Sequence, residues 1–216
     1  MNAFSVICCI IVGYVCGNFN TAYVVGKCYG VDIREHGSGN PGATNTLRTL
    51  GKKAGAIVLL GDFLKVFLPA VIVRFVIFGG REYAPLLCEL VGVGGVLGHC
   101  YPVTLGFKGG KGIASTAGTM ISTDWTYFLF APIFAAIVLV TGYVSVGSLF
   151  VVIIYPLWIA VRYIGNLYYV PMILVGLLFT ASGFFTHRAN IVRLLNGTEN
   201  KFGSKAKLSR EDREND

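Results

Sequence analysis

Residues 125–161 of this chain run for 37 positions without one charged side chain. A helix crosses the hydrocarbon of a bilayer in about 20 residues, so a run of this length has to fold back on itself in an apolar medium. Residues 1–26 are uncharged as well. They lack the basic n-region and small-residue cleavage pattern of a removable signal peptide, so they are expected to stay as a first membrane helix. Composition agrees: 13% of the 216 residues are charged and 54% apolar, against about 25% charged in a soluble domain, and the mean hydropathy is +0.66. Disorder, collagen and disulfide-dense secreted scaffolds are excluded, and the class is a polytopic, all-α membrane protein.

Polar interruptions divide the apolar sequence into elements. After the first span comes a glycine-rich polar stretch at 26–53, then a span at 54–78 that contains Asp62 and Lys65. Arg81, Glu82 and Pro85 mark a turn before a short span at 86–98, and the next polar cluster covers 99–112. Between Lys111 and Arg162, where Asp124 is the only charge, the sequence resolves into a short helix at 113–123, a turn at Asp124, a span at 125–140, a turn at 141–143 and a span at 144–161. A link from Asn166 leads to a last span at 169–186, for seven helices. One membrane domain is expected over 1–200, with a charged cytoplasmic tail at 201–216.

The formal charge of +7 has meaning only by position. Five Lys/Arg lie in 26–53, two in 99–112 and seven in 187–216, fourteen of eighteen in all. Seven spans place those three segments on one side of the membrane. That side is cytoplasmic by the positive-inside rule, which puts the N-terminus outside and the C-terminus inside. The basic excess is thus a membrane signature, and no nucleic-acid partner is expected. The six cysteines (Cys8, Cys9, Cys16, Cys28, Cys88 and Cys100) form no C-x-x-C pair; they read as small core residues, with no metal and no cofactor expected.

All three histidines lie in or beside these polar segments. Residues 36–48 read HGSGNPGATNTLR. Glycines there let backbone N–H groups turn toward an anion, while Ser38, Asn40, Thr44, Asn45 and Arg48 add donors. Residues 98–112 read GHCYPVTLGFKGGKG and run straight into a helix. Two lysines in a glycine loop at a helix N-terminus make a phosphate site, since orphan N–H groups and the helix dipole add to the side-chain charge. The loop is one spacer short of a nucleotide-binding P-loop, and Gly112 stands where the metal-binding hydroxyl would be, so nucleotide hydrolysis is disfavoured. Residues 187–199 read HRANIVRLLNGTE, with His187, Asn190 and Arg193 at three-residue steps that share a helix face. The sequon at Asn196 is silent on a cytoplasmic segment.

Together the three segments closely resemble the signature motifs of the bacterial acyl-phosphate-dependent glycerol-3-phosphate acyltransferases of the inner membrane, in the same order. The resemblance covers residues 13–201, with Ile113-Ala114-Ser115 standing where Val-Ala-Thr is usual. It implies transfer of a fatty acyl group from acyl phosphate to the sn-1 hydroxyl of glycerol 3-phosphate, giving lysophosphatidate for phospholipid synthesis, with an acyl-phosphate-producing enzyme upstream. It also implies substrate contacts from Ser38, Arg48, one of Lys108 and Lys111, His187 and Asn190. With the residue-level reading, the candidate catalytic set is Ser38, His99, Lys111 and His187. The candidate substrate-binding set is Gly37, Gly39, Asn40, Thr44, Asn45, Arg48, Lys108, Gly109, Gly110, Gly112, Asn190 and Arg193.

An acyl phosphate is already an activated anhydride, so no covalent enzyme nucleophile is needed. The base for the acceptor hydroxyl is open among His187, His99 and a phosphate oxygen of the substrate. Thioester-dependent acyltransferases use an H-x-x-x-x-D motif, which is absent: Pro41, Thr104 and Val192 stand five residues after the three histidines. Asp62 and Lys65, three apart in a span, are expected to pair or face the interior, and Glu89 in the third span is a functional candidate without a named partner. Gly13 and Gly17 read as helix packing. An anion transporter is the rival reading; polar clusters on one face and the lack of an internal repeat count against it.

Overall fold

The computed structural model describes residues 1–204, and every regular element among them is a helix. The proposed tail at 201–216 lies mostly outside the described residues. The helices are α1 (Ala3–Gly17), α2 (Thr21–Cys28), α3 (Ala43–Leu50), α4 (Lys52–Val71), α5 (Ala84–Cys100), α6 (Ile113–Thr123), α7 (Ala131–Thr141), α8 (Val144–Arg162), α9 (Tyr169–Thr186) and α10 (Arg188–Leu195). A π-helical segment, Ile72–Ile77, extends α4, and a 3₁₀ segment, Trp125–Phe130, leads into α7.

Five segments are long and apolar enough to cross a bilayer: Ala3–Cys28, Lys52–Ile77, Ala84–Leu105, Val144–Arg162 and Tyr169–Thr186. Seven spans were expected. The two others are shorter: Trp125–Thr141 is a shorter apolar helix, and α6, 11 residues long, reaches only roughly 16 Å. α6 can be short because protein, not lipid, surrounds it; Ser115, Thr116, Thr119, Ser122 and Thr123 are all buried. Their hydroxyls find partners inside the bundle, Ser115 on the Asp62 carbonyl and Thr116 on Gly112.

The first expected helix, 1–26, is broken in two. Asn20 accepts from Tyr23 N–H at 2.9 Å and caps α2, while Asn18 accepts from Val103 N–H at 2.8 Å and draws the break toward the 99–112 loop. The side-chain amides thus restart the helix where backbone partners end.

α5 is the axle of the bundle. Its glycines let α1 approach backbone to backbone: a Cβ on Gly13 would overlap the Val91 carbonyl, and one on Gly94 the Ile10 carbonyl. On the other side a core of Leu86, Val96, Met120, Tyr127, Tyr155, Ile159, Met172 and Phe179 joins α5, α6, α8 and α9. The large exposed residues are apolar and recur every fourth position, as Ile7, Ile11 and Val15 on α1, Leu157 and Val161 on α8, and Val170, Leu174 and Leu178 on α9. In water these stripes would be a liability. Here they are the lipid-facing surface of an integral membrane protein.

Candidate active site

The three polar segments meet at one end of the bundle around a cavity of about 160 Å³, far above the roughly 10–15 Å³ that one water needs. Ser38, Asn40, Thr44, Asn45 and Arg48 line it from the first segment. His99, Lys111 and Gly112 come from the second, and His187, Asn190 and Arg193 from the third.

The first segment is held by Asn45. Its amide donates to the carbonyls of Ile33 (3.1 Å) and His36 (2.9 Å), and its oxygen accepts from Ser38 N–H at 2.8 Å. Both amide hydrogens are therefore engaged in shaping the loop. Gly37 sits at φ +61°, and a Cβ there would overlap the Asn45 amide oxygen, so only glycine fits this turn. α3 begins directly afterwards with no side-chain cap on its first turn, and its Arg48 carries a buried Nε with no hydrogen-bond partner among the described residues. Burial pulls the Arg48 pKa down, Glu199 opposes that and Arg193 adds to it.

The second segment folds back onto the end of α5, with Gly109 N–H donating to Cys100 and Gly110 N–H to His99 carbonyls at 3.0 and 3.1 Å. Gly112 then turns at φ +79° into α6, whose first turn also lacks a side-chain cap. Two uncapped helix N-termini, Ala43–Thr44 and Ile113–Ala114, thus open on the same cavity, each presenting orphan N–H groups and the positive end of a dipole. The two candidate lysines separate here. Lys111 points into the cavity, whereas Lys108 is exposed on the outer turn. Gly37, Gly39, Gly109 and Gly110 shape the loops behind the cavity wall and do not line it.

The third segment supplies a connected set. Lys111 Nζ donates to Asn190 Oδ1, Asn190 Nδ2 donates to Glu199 Oε1 at 2.6 Å and Arg193 Nε to Glu199 Oε2 at 2.7 Å. Burial raises the Glu199 pKa, but the Asn190 and Arg193 hydrogen bonds outweigh it and hold the carboxyl below its ordinary value. Lys111 is pulled down to about 8, chiefly by burial, with Glu199 opposing and Arg193 and Arg48 adding to the shift. His187 caps the junction of α9 and α10. Its Nδ1 lies 2.8 Å from the Gly183 carbonyl, which can only accept, so Nδ1 carries the proton and Nε2 keeps a free lone pair. Burial first, and the Lys111 charge second, lower its pKa to about 4; the ring is neutral at pH 7.

Sequence reasoning missed part of the wall. Ser145 and Ser148 at the start of α8 line the cavity, and Ser145 Oγ donates to Glu199 at 3.2 Å. Two serines and a glycine opening an otherwise apolar helix were the available signal. Leu59, Phe134 and Val144 give the cavity an apolar side between α4, α7 and α8.

Residues 7–197 match the family model for glycerol-3-phosphate acyltransferase. Among curated relatives, the glycerol-3-phosphate acyltransferase of Clostridioides difficile (strain 630) is 42% identical over 95% of this chain and 99% of its own length. That of Alkaliphilus metalliredigens (strain QYMF) is 41% identical over 92% and 97%. The fold superposes on crystal structures of PlsY (YgiH), an integral membrane glycerol 3-phosphate acyltransferase, with 38% identity over 93% of this chain and 96% of that one. The TM-score is 0.81 for its glycerol 3-phosphate form and 0.79 for its lysophosphatidic acid form. On the match of nearly the whole chain, this protein belongs to the glycerol-3-phosphate acyltransferase family and is PlsY-like within it.

Proposed function

We propose that the chain transfers a fatty acyl group from acyl phosphate to the sn-1 hydroxyl of glycerol 3-phosphate, releasing lysophosphatidate and inorganic phosphate. The observation that carries this reading is the convergence of two uncapped helix N-termini with Arg48, Lys111 and Arg193 on one cavity. Such an array binds phosphate oxygens, and both substrates bear them. The apolar side at Leu59, Phe134 and Val144 gives the acyl chain a way in from the bilayer.

The acceptor oxygen attacks the acyl carbon, the bond from that carbon to the bridging phosphate oxygen breaks, and phosphate departs with the electron pair. Cationic and backbone donors around the cavity stabilise the charge that develops. His187 offers Nε2 as acceptor for the hydroxyl proton; a phosphate oxygen of the donor is the other candidate base. Asn190 is held between Lys111 and Glu199, so its orientation is set before substrate arrives. Ser38 stands at the rim with its N–H engaged by Asn45 and its hydroxyl free to bond a substrate oxygen.

The same reading places the enzyme in the bacterial inner membrane with the site on the cytoplasmic face and seven crossings. α6 supports the odd count: it leaves the cavity at Gly112 and ends where Arg74 donates to the Ser122 carbonyl and Arg162 pairs with Asp124, at the opposite end of the bundle. The test is purified protein with glycerol 3-phosphate and each candidate donor in turn. Lysophosphatidate and phosphate form from acyl phosphate, and none forms from acyl-CoA or acyl carrier protein. Comparable rates with a thioester donor overturn the assignment.

A further inference from the structure

Bordering the same cavity lies a buried polar chain whose ion pair the proposed chemistry leaves unused. Asp62 and Lys65 on α4 form an ion pair at 2.9 Å with almost no exposure of either side chain. Lys65 Nζ makes three contacts: the Phe19 carbonyl at 2.7 Å, Asp62 Oδ1 at 2.9 Å and His99 Nδ1 at 2.8 Å. Thr21 also donates to Asp62 Oδ1, at 3.0 Å. Asp62 and His99 both border the cavity.

These distances decide a tautomer. An ammonium has three hydrogens and no lone pair, so each of its three neighbours must accept. Phe19 O and Asp62 Oδ1 accept by their nature, which leaves His99 Nδ1 unprotonated. A neutral Lys65 would leave the Asp62 carboxylate, 1% exposed, either without a cation or facing an imidazolium with the proton on imidazole, a weaker base than the amine beside it. A proton on Nδ1 aimed instead at Asp62 would span 3.6 Å, too far for a hydrogen bond. The proton of His99 therefore sits on Nε2. A Cβ on Gly110 would overlap that atom, the His99 side chain borders the cavity, and among the described residues the only ring hydrogen bond of His99 is the one at Nδ1.

We propose that Lys65 holds His99 in its Nε2–H tautomer, so that His99 serves the cavity as a hydrogen-bond donor to an anionic substrate oxygen while Lys65 acts as its positioning residue. His99 and His187 then stand in opposite tautomers and divide the work: His187 presents a lone pair, His99 presents an N–H. His99 is thereby removed from the candidate bases. The donor half of this assignment rests on a phosphate-bearing substrate occupying the cavity; the tautomer half does not.

The experiment separates the two. In ¹⁵N-histidine-labelled protein in detergent, without substrate, His99 shows a bare Nδ1 and a protonated Nε2, and His187 shows the reverse. A protonated Nδ1 on His99 overturns the proposal whatever the reaction turns out to be. Glycerol 3-phosphate, and separately inorganic phosphate, move the His99 Nε2–H resonance; no movement with either overturns the donor role. In turnover, His99→Asn keeps an acceptor for Lys65 but loses the Nε2–H, and lowers kcat/KM about 10- to 100-fold, the scale of one hydrogen bond to a charged group. His99→Gln, whose longer amide returns an N–H near Nε2, recovers most of that loss. Equal losses in Asn and Gln variants that melt like the wild type would mean a packing role only. Lys65→Met releases the tautomer, so Nδ1 of His99 gains a proton in the spectrum. An unchanged His99 spectrum in Lys65→Met overturns the positioning role even if that variant is inactive.

Discussion

Lys111 and Lys108 are three residues apart in one glycine loop, yet the fold gives them different fates. Lys111 is desolvated, with its pKa drawn down to about 8, and Lys108 is exposed. Lys111→Met is expected to lower kcat/KM by about 10- to 100-fold, corresponding to roughly 1.5–3 kcal/mol for a charge-assisted hydrogen bond, while Lys108→Met changes it less than about 3-fold, as for an exposed charge. The pH dependence has a definite sign. Lys111 is charged below its pKa and loses its charge as pH rises through about 8, so KM for glycerol 3-phosphate rises above that pH. Lys111→Arg, whose guanidinium stays protonated, removes this alkaline limb; a limb that persists in Lys111→Arg assigns it to another group. His187 at about 4 adds no titration near neutrality. The sequence put both lysines in the site, Lys111 in the catalytic set and Lys108 in the binding set, because the direction of each depends on how Gly109 and Gly110 pair back onto α5, a contact no local pattern encodes. Ser145 escaped for a related reason: its partner Glu199 is 54 positions away.

Among the elements, α1 and α5 show most directly how small residues stand in for a hydrophobic driving force that lipid does not provide between helices. Gly13 and Gly17 of α1 meet Val91 and Gly95 carbonyls, and Gly94 and Gly98 of α5 meet those of Ile10 and Tyr14. Because backbone, unlike a side-chain tip, cannot swing aside, Gly13→Leu and Gly94→Leu should each cost about 3 kcal/mol or more, the upper end of core overpacking. Thermal unfolding in detergent reads this directly; a midpoint within a degree of wild type for both would show that the seam is looser than its geometry. Element boundaries were largely legible from where charge and proline interrupt apolar runs, and α6 and α9 fall at the residues expected. The break between α1 and α2 was not, since Asn18 and Asn20 redirect the helix through a cap and a contact with Val103. The π segment Ile72–Ile77, just past Pro69, likewise leaves no mark on hydropathy.

For the whole molecule, the proposed seven-span topology sets which way the bundle sits in the membrane. Hydropathy and the described helices agree on five long segments; the remaining two crossings depend on α6 and on Trp125–Thr141, whose lengths fall short for an isolated span. The two stand or fall together: removing both keeps the cavity residues on one face, whereas removing only one would put His187 and Lys111 on opposite faces. The cavity holds both residues, and Thr186 Oγ1 reaches the Lys111 carbonyl at 3.4 Å, so the number of crossings between Lys111 and His187 must be even. Four crossings, by α6, Trp125–Thr141, α8 and α9, meet that condition on the proposed seven-span topology, as two, by α8 and α9 alone, would. On that proposed topology fourteen of the eighteen basic residues belong to the three polar segments of the sequence, and the positive-inside rule would put that end in the cytoplasm and Asn2 outside. Single cysteines at Ser38, Gly106 and Thr198, introduced after the six native cysteines are replaced, should react with an impermeant thiol reagent only once the inner face is exposed. A cysteine at Gly80 or Gly165, in the turns at the other end, should react in intact cells. Gly106, Gly80 and Gly165 leave open space for a new side chain, although their left-handed backbone makes each substitution mildly strained. Labelling of Thr198 and Ser38 from opposite faces would break the shared cavity and with it the phosphate site.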